Sequence, residues 1–362
     1  DLHSFPTRRS SDLEMQKKMK NVASLYSPYG WKMETNRGGY LDMGMGYLLG
    51  WLGPVLENED AYSTSTALSP VMDTLMHVQN VRYIKKSGDD DLDSIKRAIM
   101  AYGAVFSGIF MIATYSSQVN EYVQCYRGNL PGDHAVSLVG WDDDFYIPGA
   151  PGKGAWIAKN SWGEDWGRDG CFYVSYYDTS CPKVGDYAGA TAFILNDTIK
   201  FDRNYQYDIA KTDYFFNTTK TVWYKNRFSS TGDEYLAAVS TYFEKPSDYT
   251  YSVYVNGNLK ATKSSKSPSG YYTFNLDECI ALNAGDEFEV VFKITVDGDA
   301  GVPISEIISL NNYCYRENIS YISYDGRNWK DLYNLTWEYP DHIYASQVAC
   351  IKAFTVLDPI NL

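Results

Sequence analysis

Residues 132–144 read GDHAVSLVGWDDD, and residues 154–176 read GAWIAKNSWGEDWGRDGCFYVSY. Each block holds a short apolar run, of the kind that forms a buried strand, with one polar residue at its end. His134 stands at the head of the first run. Asn160 closes the second, twenty-six residues later. A neutral imidazole can take a proton from a nucleophile only if it is held in one tautomer and one orientation. An Asn side-chain oxygen can accept the other ring N–H and hold it. The indole of Trp162, two residues on, would keep water from that bond. Such a His–Asn pair suits a Cys nucleophile, whose thiolate is stabilised by a neighbouring imidazolium. Taken singly, a strand-end His and a turn Asn are ordinary. Their pairing within two such blocks is what points to chemistry.

The remaining residues narrow the class. With 362 residues the chain is long enough for two domains. It has no run of eighteen apolar residues, so no transmembrane helix is expected. The net charge of −13 argues against a nucleic-acid surface, which needs clustered Lys and Arg. The 33 Tyr favour β-structure, since a ring with a wet tip fits a half-buried strand. His3, His77 and His342 lack the surroundings of His134 and read as structural or surface residues. Six Cys are too few to build a disulfide scaffold of this length. Cys171 and Cys181 could pair, as could two of Cys279, Cys314 and Cys350. Asn196, Asn217, Asn318 and Asn334 begin N-x-Ser/Thr triplets, which also arise by chance. No metal site or cofactor is expected.

Residues 14–26 read as the end of a helix, with Met15, Met19 and Val22 near helical spacing, and a second helix should start after Gly39. The stretch SGDDDLDSIKRAIMAYG, residues 87–103, is a helix that Asp91 or Asp93 caps and Gly103 closes. Its acids read as a cap and a solvated face rather than a metal loop. Short strands follow, at AVSLVGW, GAWIAKN, CFYVSYY and AFIL. From about residue 205 alternating segments such as YTYSVYVNG and DEFEVVFKITV, split by turn residues, predict an antiparallel β-sandwich. The expected fold is therefore α+β followed by all-β, with the boundary near residues 197–212.

The opening DLHSFPTRRSSDL, residues 1–13, has no apolar core and so is no secretory signal. Back-translated, it resembles a widely used short-read sequencing adapter read in frame. The expectation is that this segment is foreign and disordered, and that the natural beginning of the chain is lost.

The two blocks quoted first resemble the His and Asn blocks of the papain-like cysteine peptidases. The likeness spans residues 14–197 and implies the C-terminal part of a papain-like fold, helices plus an antiparallel barrel-like half. It implies that His134 is general base and acid, that Asn160 orients it, and that Trp162 shields the pair. Trp166 would belong to the primed-side wall. NRGGY resembles the family's Gly-Gly segment, so Gly38 and Gly39 would admit substrate backbone where a Cβ would block it. Asp133 and Ala135, flanking the His, would face the groove. The family's nucleophile block, Gln followed by Cys-x-x-Cys-Trp, has no counterpart here. The family's spacing puts the Cys between roughly positions 4 and −16, before the first native residue, Glu14. Cys125, the nearest Cys to His134 in sequence, sits in a predicted loop and is a poor substitute.

Residues 205–357 resemble the lectin-like domain that follows such peptidases in some bacterial proteins. The matching segments are SGYYTFNLDECIALNAGDEFEVVFKI, VPISEI, ISYDGRNWKDLY and VACIKAFTV. The shape does not by itself imply sugar binding. Exposed Tyr and Trp could stack on sugars, and Tyr is also common in sandwiches. The expected domains are 14–204 and 205–362. The resemblance implies a secreted or cell-surface cysteine endopeptidase acting on polypeptides, with glycans or a surface polymer as further partners. As it stands the chain is expected to be inactive. The alternative is a pseudopeptidase or adhesion protein that kept the groove and lost the nucleophile.

Overall fold

The computed structural model describes residues 41–51, 54, 56, 58, 75–88, 90–183, 189–195, 198–208, 215–306, 315–335, 337–339, 342–344 and 347–359. By packing these form two compact units. One is Val81–Ile194, and the other is Leu195–Leu362 together with the described residues up to Asn80. The expected helix end at 14–26, residues 1–13, Gly38, Gly39 and Cys314 lie outside the described residues.

In the first unit the helix Asp93–Tyr102 forms where acids and apolar spacing require it, with Ile95, Ala98 and Ile99 buried along one face. Of the two candidate caps, Asp91 does the work. Its carboxylate accepts the Ser94 N–H at 3.2 Å and the Ser94 hydroxyl at 2.8 Å. Gly103, at φ 85°, ends the helix with its N–H on the Ile99 carbonyl. The sheet runs in the order Thr114–Ser116, Glu121–Gln124, Cys171–Ser175, Ala155–Lys159, His134–Asp142, Val105–Ile109, Ala190–Ile194. Glu121–Gln124 and Cys171–Ser175 are parallel, and the other pairs are antiparallel.

The strand His134–Asp142 is irregular. Its register against Ala155–Lys159 shifts between Leu138 and Gly140. Val139 is the extra residue, and it is 39% exposed. Before the bulge Val136 and Leu138 face the core. After it Trp141 packs against the same core, which also holds Ile109, Trp156 and Phe172.

The second unit is a sandwich. One sheet runs Asn258–Ser267, Ser247–Val255, Glu287–Thr295, Thr221–Ser229, Ser320–Ser323, Lys330–Asp331; the other includes Gly270–Leu282, Glu234–Phe243, Ile351–Val356 and Arg203–Tyr205. Thr221–Ser229 shows how the pattern sorts the faces. Val222, Tyr224, Asn226 and Phe228 are buried, while Trp223, Lys225 and Arg227 alternate outward. The buried set meets Val239, Phe243 and Ile351 of the other sheet in one core. Asn226 is tolerated there because its amide donates to the Ala349 carbonyl at 2.9 Å and its oxygen accepts the Ser320 hydroxyl at 2.6 Å.

The helix Leu41–Leu49 starts just after Gly39, as the sequence suggests. Its last carbonyls receive side-chain amides from this unit, Asn204 on Leu49 and Gln206 on Gly50. Beyond it Trp51 stacks on His77, with ring centres 3.8 Å apart. Lys352 and Asp208 form an almost fully buried ion pair at 2.6 Å, with the Gln206 oxygen 2.8 Å from the same ammonium. The sandwich and the strand-rich first unit agree with the expected fold class.

Candidate active site

His134 opens its strand opposite Ile109. Asn160 directly follows Ala155–Lys159, and its N–H bonds the Gly170 carbonyl at 2.8 Å. The two strands are neighbours, so their ends bring the two side chains together. His134 Nε2 lies 2.8 Å from Asn160 Oδ1. The same oxygen accepts the Ser161 backbone N–H at 2.8 Å. That second bond fixes which way the amide points, because its NH2 group could not face a backbone N–H. An oxygen can only accept, so Nε2 carries the ring proton. In the neutral ring Nδ1 then holds a lone pair and can take a proton. Asn160 is 6% exposed and its Nδ2 has no hydrogen-bond partner among the described residues.

Trp162 leans over the imidazole, with ring centres 5.3 Å apart and planes tilted by 41°, although the indole itself is 52% exposed. Trp166 meets it edge-on at 5.0 Å and in turn contacts Phe172 at 5.4 Å and Tyr122 at 4.7 Å. A chain of rings therefore ties the exposed indole to the buried core. Ala135 is half-buried and paired with Gly108. Asp133 is exposed, but its carboxylate accepts the Met111 N–H at 2.8 Å and its own N–H bonds the Ile109 carbonyl at 3.0 Å. Its visible task is to clamp the backbone on which His134 sits.

The sequence reading overlooked Ser161 and Gly170. Gly170 sits at φ 77°, and a Cβ there would crowd the Gly163 carbonyl at 3.0 Å. The glycine-dense run GEDWGRDG was the available signal, since positive φ favours glycine.

None of the described thiols is set up as a nucleophile. Cys125, Cys171, Cys181 and Cys279 are free thiols, so the considered pairing of Cys171 with Cys181 is not made, and Cys350, the fifth described Cys, is buried and forms no disulfide with Cys279. Burial pushes the Cys125, Cys171 and Cys279 thiols up, and Cys181 is pushed up to about 12 by burial. A nucleophilic Cys needs the opposite shift. Among the described residues no cluster of His, Cys, Asp and Glu could hold a metal.

Comparison with known proteins places the two domains. Residues 32–191 match the model of the papain family cysteine protease, and residues 204–355 match that of the lectin like domain. Among solved structures, the clostridial cysteine protease Cwp84 after propeptide cleavage is similar with a TM-score of 0.74 and 23% identity, over 91% of this chain and 85% of that chain. The cysteine protease and lectin-like domains of Cwp84, a surface layer associated protein of Clostridium difficile, are similar with a TM-score of 0.72 and 20% identity, over 98% of this chain and 87% of that one. These likenesses are of fold. Among curated proteins, cathepsin B-like cysteine proteinase 6 of Caenorhabditis elegans is 26% identical over 125 residues, which is 34% of this chain. The chain spans only 31% of that relative's length.

Proposed function

We propose, from the premise that this chain joins a papain-family cysteine protease domain to a lectin-like domain, that it is part of a cysteine endopeptidase working through a Cys–His134–Asn160 site. The observation that carries the reading is the 2.8 Å bond between His134 Nε2 and Asn160 Oδ1, which leaves Nδ1 as the proton acceptor. In the reaction a Cys thiol passes its proton to His134 Nδ1. The thiolate attacks the peptide carbonyl and the tetrahedral intermediate collapses to an acyl-enzyme. His134 gives the proton to the departing amine, then activates a water that hydrolyses the thioester. Trp162 keeps solvent from the orienting bond, and Trp166 braces it. Gly38, Gly39, Asp133 and Ala135 are assigned to the substrate groove, and Trp166 also to its primed-side wall. Domain limits of 14–204 and 205–362 go with this reading.

We further propose that the nucleophile is encoded upstream of Glu14, since no described thiol has the required setting. The chain by itself is then inactive. The lectin-like unit would hold the enzyme on a glycan or polymer outside the cell, as the surface-layer association of the similar Cwp84 suggests. Among the described residues no helix is long and apolar enough to cross a membrane.

The test is to read the gene upstream and express the extended protein. A Gln…Cys-Trp block, with fluorogenic peptide hydrolysis blocked by an epoxysuccinyl inhibitor, supports the enzyme. Ser, Ala or Gly at the Cys position favours the pseudopeptidase. Inhibitor-sensitive hydrolysis by residues 14–362 alone would overturn the upstream nucleophile.

A further inference from the structure

The outward face of the sheet built on Thr221–Ser229 carries a pocket of about 230 Å³ that the peptidase chemistry does not use. Its lining includes the aromatic Trp223, Tyr254 and Trp329 together with Thr250, Ser252 and Val291. The register explains the convergence. Trp223 pairs with Lys293, Lys225 with Val291, and Ser252 with Val291, so alternate residues of three adjacent strands share one face.

The loop that supplies Trp329 is set in advance. The Asp325 carboxylate accepts the Arg327 and Asn328 N–H groups at 2.8 Å each and the Asn328 amide at 2.6 Å. Gly326, at φ 72°, lies so near Trp223 that a Cβ would come within 3.0 Å of the indole. The loop backbone is thus laid against one aromatic wall while Trp329 forms another.

Charge is uneven here. Glu289 is bound by Lys225 at 2.9 Å and by Arg227 at 2.9 Å, so two cations share one carboxylate. Lys293 stands 5.1 Å from the Trp223 ring centre and makes no ion pair among the described residues. Lys225 is also 4.7 Å from the Trp329 ring centre. Among the residues that line the pocket, two lysines, Lys225 and Lys293, stand against one carboxylate, Glu289.

We propose that this pocket binds an acidic saccharide. A pyranose ring would lie against the indoles, its hydroxyls would meet Thr250 and Ser252, which also bond the Ser264 and Thr262 hydroxyls, and its carboxylate or phosphate would be received by Lys293 beside the Lys225–Glu289 pair. Flat aromatic side chains, hydroxyl partners and Lys293, which has no ion pair among the described residues, together select a charged sugar over a neutral one. The proposal rests on the reading of the lectin-like unit as a glycan holder and adds the site and the ligand class.

The test is calorimetric titration of the whole chain with galacturonate, hyaluronate and heparin oligosaccharides and a phosphorylated hexose, beside neutral cellotriose and poly-glutamate. At least one acidic sugar is expected to bind saturably, and about tenfold or more tightly than cellotriose. Lys293→Gln and Trp329→Ala should each weaken it by about tenfold, and added salt should weaken it further. Circular dichroism checks that both variants fold, and Lys293→Gln removes an outward charge and its contact with the Trp223 ring. Binding of cellotriose as tight as that of the acids would overturn the acidic assignment while leaving the glycan reading intact. Silence of every sugar would overturn both. Poly-glutamate binding as tightly as the best sugar, or wild-type affinity in both variants, would also overturn the proposal.

Discussion

His134 and Asn160 meet at an oxygen that already holds the Ser161 N–H, so the amide cannot turn over without losing both bonds. This double hold decides the tautomer of the ring before any substrate arrives. Long-range proton–nitrogen NMR on the chain should therefore show the proton on Nε2 and a lone pair on Nδ1. Asn160→Ala should give a mixture of tautomers. A wild-type ring protonated on Nδ1 would contradict the geometry.

In the extended enzyme His134→Ala should lower kcat/KM by about 10²–10⁴-fold, the usual worth of a positioned general base. Asn160→Ala should cost less, because the imidazole remains. Trp162→Ala should fall between wild type and Asn160→Ala, since it exposes the bond without removing it. An Asn160→Ala enzyme as fast as wild type would remove the orienting role.

The thiols offer a check that needs no activity. Burial raises all four of Cys125, Cys171, Cys181 and Cys279, with Cys181 the most deeply enclosed of them at 0% exposure. Iodoacetamide at neutral pH, followed by mass spectrometry, should label none of them quickly in the folded chain. Cys181 should react only after denaturation. Rapid labelling of Cys125 or Cys171 would reopen the search for a nucleophile within these residues.

His77 should make stability depend on pH. Burial, and then the charge of Lys200, push it down to about 4 from an ordinary value of 6.5. The unfolded chain therefore takes up a proton that the folded chain refuses between pH 6.5 and 4. Stability contributed by the neutral ring is present above 6.5 and is lost as pH falls through that window. His77→Phe, which keeps the stack on Trp51, should flatten the dependence in urea titrations. An unchanged slope would reject this assignment.

The Lys352–Asp208 pair lies inside the sandwich unit, with side chains 2% and 1% exposed. Lys352→Ala should cost about 3–5 kcal/mol, because it strands a buried carboxylate. Replacing both with Met and Leu should come close to neutral, since the charges would no longer be desolvated. Denaturant melts of the single and double variants distinguish the two outcomes.

The sequence revealed most where one residue's chemistry depends on close neighbours. The His and Asn blocks, the Asp93–Tyr102 helix with its Gly103 stop, and the alternation of the sandwich strands are all local patterns. The strands Val105–Ile109, Thr114–Ser116 and Glu121–Gln124 were not read, since their run mixes Gly, Ser and polar residues without clean alternation. The parallel pairing of Glu121–Gln124 with Cys171–Ser175 joins segments far apart in the chain, which no local pattern encodes. The bond from the Met111 N–H to the Asp133 carboxylate joins residues 22 apart, a partner visible only once the chain has folded. The pocket on the sandwich face escaped for the same reason. Trp223, Tyr254 and Trp329 come from separate segments and converge through register.

Val139 gives the site a property that composition hides. Without it, Val136, Leu138 and Trp141 would follow one another in strict alternation and the strand would still fill the core. The added residue bends the strand between the partly buried Trp141 and the end that carries His134. A deletion of Val139 should leave the melting temperature nearly intact while swinging the imidazole off its line to Asn160. Denaturant melts and proton–nitrogen NMR of His134 in that variant would show whether the bulge serves packing or the line from the imidazole to Asn160.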